Sequence, residues 1–392
     1  MNSQFRAPHP TGWDCAPGRW TAEQVAAIAA SPLPFIPLVG PAGAKPAFVD
    51  LHLWDLWPVE QLDGHIVRVD GEELWVIMSA PRSLHPDARH HVARLRLASF
   101  GEGGWRDLGD LLPEGLNAGG REWAGSTVCD PASGRLVLFY TAAGRKGEAR
   151  PTYEQRLFQV EGRLIVEGGT VRTGDWQLPF ENVVSDDLNY VVARDAEGVP
   201  GFISAFRDPA HFRDPADGRS YLVFTASLKQ SVSQFNGAIG IARARDSELS
   251  SWELLAPMIS ADGVNTELER PVMRCVDGRY YVFWSTQRKT FAPDGPTGPN
   301  GLYGMVADAL FGPYRPLNGT GLVAANPDSE PFQTYSWWVT SDLQVAGFVD
   351  LWGLEGRCPQ EQPELVISQF GGTPAPRFRL RIEGDTSMIV PA

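Results

Sequence analysis

Cysteines, clusters of basic residues and long apolar runs are all scarce in this chain of 392 residues. The cysteines show no CxxC pair and no histidine at metal-ligand spacing, so no zinc site is predicted, and we favour buried thiols over a disulfide. They are Cys15, Cys129, Cys275 and Cys358. Lys and Arg number 34 against 47 Asp and Glu, which gives a formal net charge of −13. Nucleic acid and anionic membranes are therefore not expected partners.

Two further absences concern the location of the protein. No apolar run approaches the ~20 residues of a membrane span. Residues 1–30 lack the basic segment followed by an apolar one that marks a cleavable signal peptide. We therefore expect a cytoplasmic protein or one secreted without a leader.

Glycine, proline and tryptophan are abundant, with 41, 32 and 13 copies. Many turns between short strands favour an all-β fold, and spare aromatic surface suits sugars or other stacking ligands. One short helix is predicted, because Thr21 and Gln24 form a capping box before a segment that runs to Ala30. We predict an irregular N-terminal segment at residues 1–45 and a single domain at residues 46–392.

A hairpin motif recurs along the chain, with an Asp-Gly or similar turn followed by an apolar strand. The three clear copies are residues 130–139, 214–224 and 277–283, and the weaker ones are 70–77 and 341–348. Spacings of ~60–85 residues between such units predict a β-propeller of about five blades. Two β-sandwiches are the alternative, although the hairpin would not then recur so evenly.

Carboxylates, arginines and tryptophans lie just upstream of each turn. Residues 53–58, 122–126, 206–209, 267–271 and 333–338 hold this position. Several blades should therefore deliver these side chains to one axial pocket. Glu267 and Glu269 are two apart and should face the same space, and we expect Arg270 to keep one of them ionised. Retaining glycoside transfer requires two carboxylates, a nucleophile and an acid/base, and a third carboxylate can hold the sugar hydroxyls. Asp55, Asp208 and Glu269 are the candidates for these three roles.

Several motifs between about residues 50 and 350 resemble those of glycoside hydrolase family 68, the levansucrases, inulosucrases and bacterial β-fructofuranosidases. They are Trp54-Asp55-x-Trp57-Pro58, Arg207-Asp208-Pro209, Glu267-x-Glu269-Arg270-Pro271, Phe311-Gly312-Pro313-Tyr314 with Leu317-Asn318-Gly319, and Tyr335-Ser336. The resemblance implies a five-bladed propeller with a central funnel-shaped active-site pocket. It also implies a bacterial enzyme that passes the fructosyl unit of sucrose to water or to mono- and oligosaccharides.

The resemblance assigns roles to individual residues. Asp55 would be the nucleophile, Glu269 the acid/base, and Asp208 the stabiliser of the transition state. Trp54 and Trp123 look like walls of the fructosyl site. The remaining predicted substrate-binding residues are Arg207, Glu267, Arg270, Gln287 and Tyr335.

The chain departs from the family pattern at several positions. Ala124 stands where a serine usually bonds the nucleophile, so Asp55 must find another donor or carry a higher pKa. Leu56 replaces a usual threonine, Trp337 a usual histidine, and Gln287 a usual arginine or histidine linked to acceptor binding. Thr266 replaces an aspartate of the calcium site of some members. We therefore expect no metal or cofactor, and we expect transfer to water and short sugar acceptors rather than long polymer synthesis.

Other interpretations remain open at this point. A predominantly hydrolytic enzyme is the nearest alternative, followed by a propeller glycosidase for arabinans or xylans. A sugar-binding propeller without catalysis is the alternative of another class. His90-His91 is read as a polar loop rather than a metal site, because neighbouring residues of a strand point to opposite faces. His211 is expected at the surface.

Overall fold

Strands dominate the computed structural model, which describes residues 17–193 and 204–390. The helices are α1 (Ala22–Ala26) and α2 (Glu364–Gln369), with 3₁₀ helices at Ala27–Ala30, Pro86–His91, Arg288–Thr290 and Leu317–Gly319. The predicted capping box is confirmed, since Thr21 is the N-cap and exchanges hydrogen bonds with Gln24. The division at residue 45 stays a prediction.

The strands form five antiparallel blades, preceded by β1 (Gly18–Arg19). Blade 1 contains β2 (Leu51–Glu60), β3 (Arg68–Val69), β4 (Glu72–Pro81), β5 (Arg94–Gly101) and β6 (Gly104–Asp110). Blade 2 contains β7 (Arg121–Cys129), β8 (Arg135–Ala143), β9 (Gln155–Glu167), β10 (Thr170–Gly174) and β11 (Phe180–Val183). Blade 3 contains β12 (Phe206–Arg213), β13 (Ser220–Ser227), β14 (Gly237–Ala244), β15 (Trp252–Leu254) and β16 (Ile259–Ser260).

The last two blades repeat this plan. Blade 4 contains β17 (Glu269–Val276), β18 (Arg279–Thr286), β19 (Gly301–Ala307), β20 (Arg315–Pro316) and β21 (Leu322–Ala325). Blade 5 contains β22 (Thr334–Val339), β23 (Gln344–Leu351), β24 (Phe370–Pro374), β25 (Phe378–Glu383) and β26 (Thr386–Val390). First strands of neighbouring blades contact each other in the order β2, β7, β12, β17, β22 and back to β2. This closed ring confirms the predicted five-bladed propeller.

The repeated turns explain the blades. Gly134, Gly218 and Gly278 join the first two strands of blades 2, 3 and 4, each with a φ between 72° and 76°. This left-handed conformation favours glycine, because a Cβ atom is strained there. Leu343 takes the same place in blade 5 with a φ of 64°. A leucine at that position accounts for the weakness of the fifth copy in the sequence.

Tryptophans serve the core more than any sugar surface. Side chains with under 2% exposure include Trp20, Trp54, Trp57, Trp75, Trp284, Trp337 and Trp338. Trp337 and Trp338 are both 1% exposed, so both pack inside the protein. Such large apolar side chains stabilise the fold through the area they remove from water.

Candidate active site

The five first strands share one irregularity. Each loses its regular pairing with the second strand at the same step of the repeat, as in a β-bulge. The residues before this bulge are Trp54, Trp123, Arg207, Glu269 and Tyr335, and those at it are Asp55, Ala124, Asp208, Arg270 and Ser336. Of the predicted site residues, only Glu267 and Gln287 lie outside these two positions. The site is therefore assembled from five copies of one backbone feature.

The bulge also strains the backbone. Asp55, Asp208, Arg270 and Ser336 have φ values of 39°, 59°, 51° and 58°, in the left-handed region. Left-handed conformations in residues other than glycine cluster at functional sites. The repeat corrects one expectation, because Glu269 lies one position before the place that Asp55 and Asp208 occupy.

Arg207 connects three carboxylates. Its Nη2 lies 3.0 Å from Glu267 Oε1 and 2.9 Å from Glu269 Oε1, and its Nε lies 3.5 Å from Asp208 Oδ2. Glu267 precedes β17, so the shared cation brings the two glutamates together rather than a common strand face. The expectation that Arg270 serves this pair is wrong. The guanidinium of Arg207 reaches both glutamates because it extends from the neighbouring blade.

Arg270 faces Asp55 instead. Its Nη1 lies 3.9 Å from Asp55 Oδ1, and its Nη2 donates a hydrogen bond to the Leu56 carbonyl at 3.0 Å. The guanidinium lies over the rings of Trp57 and Trp338, at 5.4 Å and 5.6 Å from their centroids. These contacts fix the cation beside Asp55. We call Asp55, Asp208, Glu269, Arg207 and Arg270 the strand cluster.

Burial raises the pKa of Asp55, while the positive charge of Arg270 and the hydroxyl of Ser336 oppose this rise. Ser336 is 1% exposed, and its hydroxyl has no hydrogen-bond partner of standard geometry among the described residues, so it can turn toward Asp55. Ala124, at the same place in blade 2, offers no donor. Ser336 therefore offers Asp55 a hydroxyl that Ala124 does not, and the sequence analysis named it only as part of the Tyr335-Ser336 motif, without a role.

Asp208 is held firmly. Its Oδ2 accepts hydrogen bonds from Thr225 Oγ1 at 3.0 Å and from the Arg270 amide at 3.3 Å, and its own amide donates to Thr141 Oγ1 at 2.8 Å. Burial raises the pKa of Asp208 to about 6, with Arg207 working against the rise. Asp208 therefore changes charge at mildly acidic pH.

Glu269 is oriented from two sides, because the Tyr335 hydroxyl donates to its Oε2 and Arg207 donates to its Oε1. Gln287 lies beside the same tyrosine hydroxyl. Burial, followed by the charge of Glu269, raises the pKa of Glu267 to about 7.

The segment before β5 corrects another expectation. His90 does not lie in a polar loop but in the 3₁₀ helix Pro86–His91. Its ring centroid lies 5.6 Å from that of Trp54 and 6.2 Å from that of Trp123. Its carbonyl accepts a hydrogen bond from Trp123 Nε1 at 3.2 Å. Burial and the charge of Arg89 hold its pKa well below the usual range. His90 thus packs against the two predicted sugar walls as a neutral ring.

The exposure of these walls differs. Trp54 is 1% exposed, and the guanidinium of Arg89 lies 5.5 Å from its ring centroid. Trp123 is partly exposed and offers the larger face. His211, expected at the surface, is 4% exposed, with its ring stacked on Phe139 and its Nε2 2.9 Å from Ser220 Oγ. That expectation is wrong, since the residue belongs to the core.

The remaining expectations concern thiols, metals and membranes. Cys129, Cys275 and Cys358 are free thiols, and Cys15 lies outside the described residues. Within residues 17–193 and 204–390, no His, Cys, Asp and Glu side chains group as metal ligands would. No helix in these ranges is long and apolar enough to cross a membrane.

Comparison with known proteins identifies the family. The sequence profile of the Levansucrase/Invertase family, glycoside hydrolase family 68, matches residues 14–234 and 228–392. The chain belongs to glycoside hydrolase family 68. Levansucrase LscA of Pseudomonas savastanoi pv. glycinea is 32% identical, and the match covers 90% of this chain and 89% of that relative.

Solved structures agree with this assignment to family 68. The inulosucrase from Halalkalicoccus jeotgali, solved with kestose bound, is 38% identical with a TM-score of 0.88, and the match covers 95% of each chain. The levansucrase from Gluconacetobacter diazotrophicus is 25% identical with a TM-score of 0.84, and the match covers 97% of this chain and 91% of that one. The family predicted from the motifs is confirmed.

Proposed function

We propose that this enzyme removes the fructosyl unit of sucrose and transfers it to water or to short sugar acceptors. The observation that carries the proposal is the strand cluster, in which three blades bring Asp55, Asp208 and Glu269 to one end of the ring. Similarity to levansucrases and to an inulosucrase supports this choice of substrate.

Asp55 acts as the nucleophile. Its carboxylate oxygen attacks C2 of the fructosyl unit, and the bond from C2 to the glucose oxygen breaks. Attack requires an ionised carboxylate, and the charge of Arg270 and the Ser336 hydroxyl support this state against burial. The product of this step is a covalent fructosyl ester on Asp55 and free glucose.

Glu269 supplies the proton for the departing glucose oxygen. Glu267 and Glu269 meet at one nitrogen of Arg207, so their proton binding is linked. The raised pKa of Glu267, about 7, lets this pair hold a proton in neutral solution. In the second step, Glu269 takes the proton of the incoming hydroxyl, which attacks C2 and releases Asp55.

The other residues bind the sugar. Asp208, fixed by Thr225, accepts hydrogen bonds from fructosyl hydroxyls and strengthens them as positive charge develops at C2. Trp123 and Trp54 line the fructosyl unit. Arg207, Glu267, Arg270, Tyr335 and Gln287 surround the glucosyl or acceptor side.

Incubation with sucrose tests the proposal, with glucose and fructose measured separately. Glucose in excess of fructose indicates transfer, whereas equal amounts indicate the hydrolytic alternative. If neither sugar is released, sucrose is not the substrate, and the non-catalytic sugar-binding alternative gains support.

A further inference from the structure

Three charged residues outside the first strands interact with one another, and two of them also with Asp55; we call Arg89, Lys289 and Asp350 the outer charges. Arg89 belongs to the 3₁₀ helix after β4, Lys289 to the 3₁₀ helix after β18, and Asp350 to β23. They therefore come from blades 1, 4 and 5. Burial raises the pKa of Asp350 to about 6, and the charges of Arg89 and Lys289 oppose this rise. Asp350 is also close enough to sense the charge of Asp55.

Arg89 lacks a matching anion. Its guanidinium lies 4.7 Å from the ring centroid of Phe370 and 5.5 Å from that of Trp54, and its Nη1 donates to the Pro86 carbonyl at 2.7 Å. Its Nε is buried and has no hydrogen-bond partner in the described part of the chain. The two rings fix the position of the cation while leaving donors unused.

Asp350 lacks a matching cation. Its carboxylate forms no ion pair within 4.0 Å with any described residue, and this includes Arg89 and Lys289. No hydrogen bond to this carboxylate is found within residues 17–193 and 204–390 either. Opposite charges that are removed from water without forming an ion pair lose solvation and gain little attraction in return. A polar ligand between them would satisfy both groups.

We infer that Arg89 and Asp350 bind the hydroxyl groups of the acceptor sugar that receives the fructosyl unit from Asp55. A carboxylate accepts and a guanidinium donates, so together they can hold the neighbouring hydroxyls of a pyranose or furanose ring. Arg89 lies over the ring of Trp54, the residue before Asp55, and Asp350 lies within electrostatic range of both Arg89 and Asp55. This inference rests on the proposed function and names residues that would select a sugar over water.

The test uses the full chain with one saturating concentration of sucrose as donor and acceptor. Glucose release counts all fructosyl units removed, free fructose counts those given to water, and the difference counts transfer. Both fates consume the same covalent intermediate. The ratio of transfer to hydrolysis therefore reports on acceptor binding, and it is independent of the amount of folded enzyme.

We expect Asp350→Asn to lower this ratio about tenfold, because hydrogen bonds to charged groups contribute enough for such a change. Arg89→Lys should also lower it, since an ammonium group keeps the charge but loses the planar fork. In both variants glucose release should fall less than transfer.

Asp87→Asn is the matched control. It removes the same charge close to Arg89, but the Asp87 side chain is 74% exposed and lies 3.8 Å from His85 Nδ1. The ratio should keep its wild-type value in this variant. An unchanged ratio in both Asp350→Asn and Arg89→Lys overturns the inference, as does an equal fall in Asp87→Asn. A wild-type chain that releases no glucose rejects the proposed function and, with it, this inference.

Discussion

The strand cluster and the outer charges contain the same kinds of side chain in opposite states of pairing. Asp55, Asp208 and Glu269 each have an arginine within 4.0 Å, at 3.9, 3.5 and 2.9 Å. Asp350 has none among the described residues. Paired groups keep a fixed geometry before the substrate arrives, whereas unpaired groups gain most when a ligand binds. The comparison assigns cleavage to the strand cluster and acceptor choice to the outer charges.

The largest effect should come from Asp55→Asn, which keeps the shape of the side chain but removes the nucleophile. We expect glucose release from sucrose to fall by at least about 10⁴-fold. Asn tolerates the left-handed backbone at this position, so the fold should be retained. The matched control is Asp70→Asn, in a turn of the same blade with a φ of 50°, which should leave the rate unchanged. Near-normal release by Asp55→Asn would remove this residue from the mechanism.

The next largest effect is the pH dependence of kcat/KM, which distinguishes the strand cluster from the outer charges. Asp208, with a pKa raised to about 6, must be ionised to accept sugar hydroxyls, so kcat/KM should fall as pH drops below about 6. Burial raises the pKa of Glu267 to about 7, and the proton that Glu267 holds is lost above that pH, so kcat/KM should also fall above about pH 7. Outside these limits the loss approaches tenfold per pH unit.

Asp350→Asn should leave both the acidic and the basic limb of the kcat/KM profile unchanged, because the outer charges do not take part in cleavage. The pKa of Asp350 is also raised, to about 6. The wild-type ratio of transfer to hydrolysis should therefore fall as pH drops through about 6, and this dependence should vanish in the variant.

A flat kcat/KM between pH 5 and 8 would contradict the assignment of Asp208 and Glu267.

The smallest effect is expected for Ser336→Ala. Loss of one hydroxyl interaction of about 1 kcal/mol should lower kcat about fivefold. It should also move the acidic limb of the pH profile upward, because both Asp208 and Asp55 must be ionised and Asp55 then ionises less readily. Ala124→Ser in the same chain should restore both, since it returns a hydroxyl from blade 2. A purely structural role for Ser336 would change the unfolding temperature but not the pH limb.

The sequence predicted the blades because their determinants are local. Gly134, Gly218 and Gly278 take conformations that favour glycine, and apolar strands follow them, so the repeat is visible without any long-range contact. The candidate residues were also predictable, since Asp55, Asp208 and Glu269 lie in short motifs that mark the family. The Thr21 capping box is another local feature, and it is predicted from two residues that are three positions apart.

Contacts between blades were not predictable in the same way. Arg270 was expected to serve its neighbours Glu267 and Glu269, but Arg207 of another blade does so, and Arg270 faces Asp55. Ser336 lies in the Tyr335-Ser336 motif, but that motif says nothing of a contact with Asp55, and Asp350 lies in no motif. Their distance from it depends on closure of the ring, which brings blade 5 against blade 1.

The sequence by itself therefore determined the hairpin repeat, the family and the side chains available for chemistry. Turn preferences and strand patterning depend on residues a few positions apart, so both can be recognised in the sequence itself. Only the tertiary structure decided which charges are paired. Pairing depends on distances of 3–4 Å between residues of different blades, and these are set when five strands close around one axis.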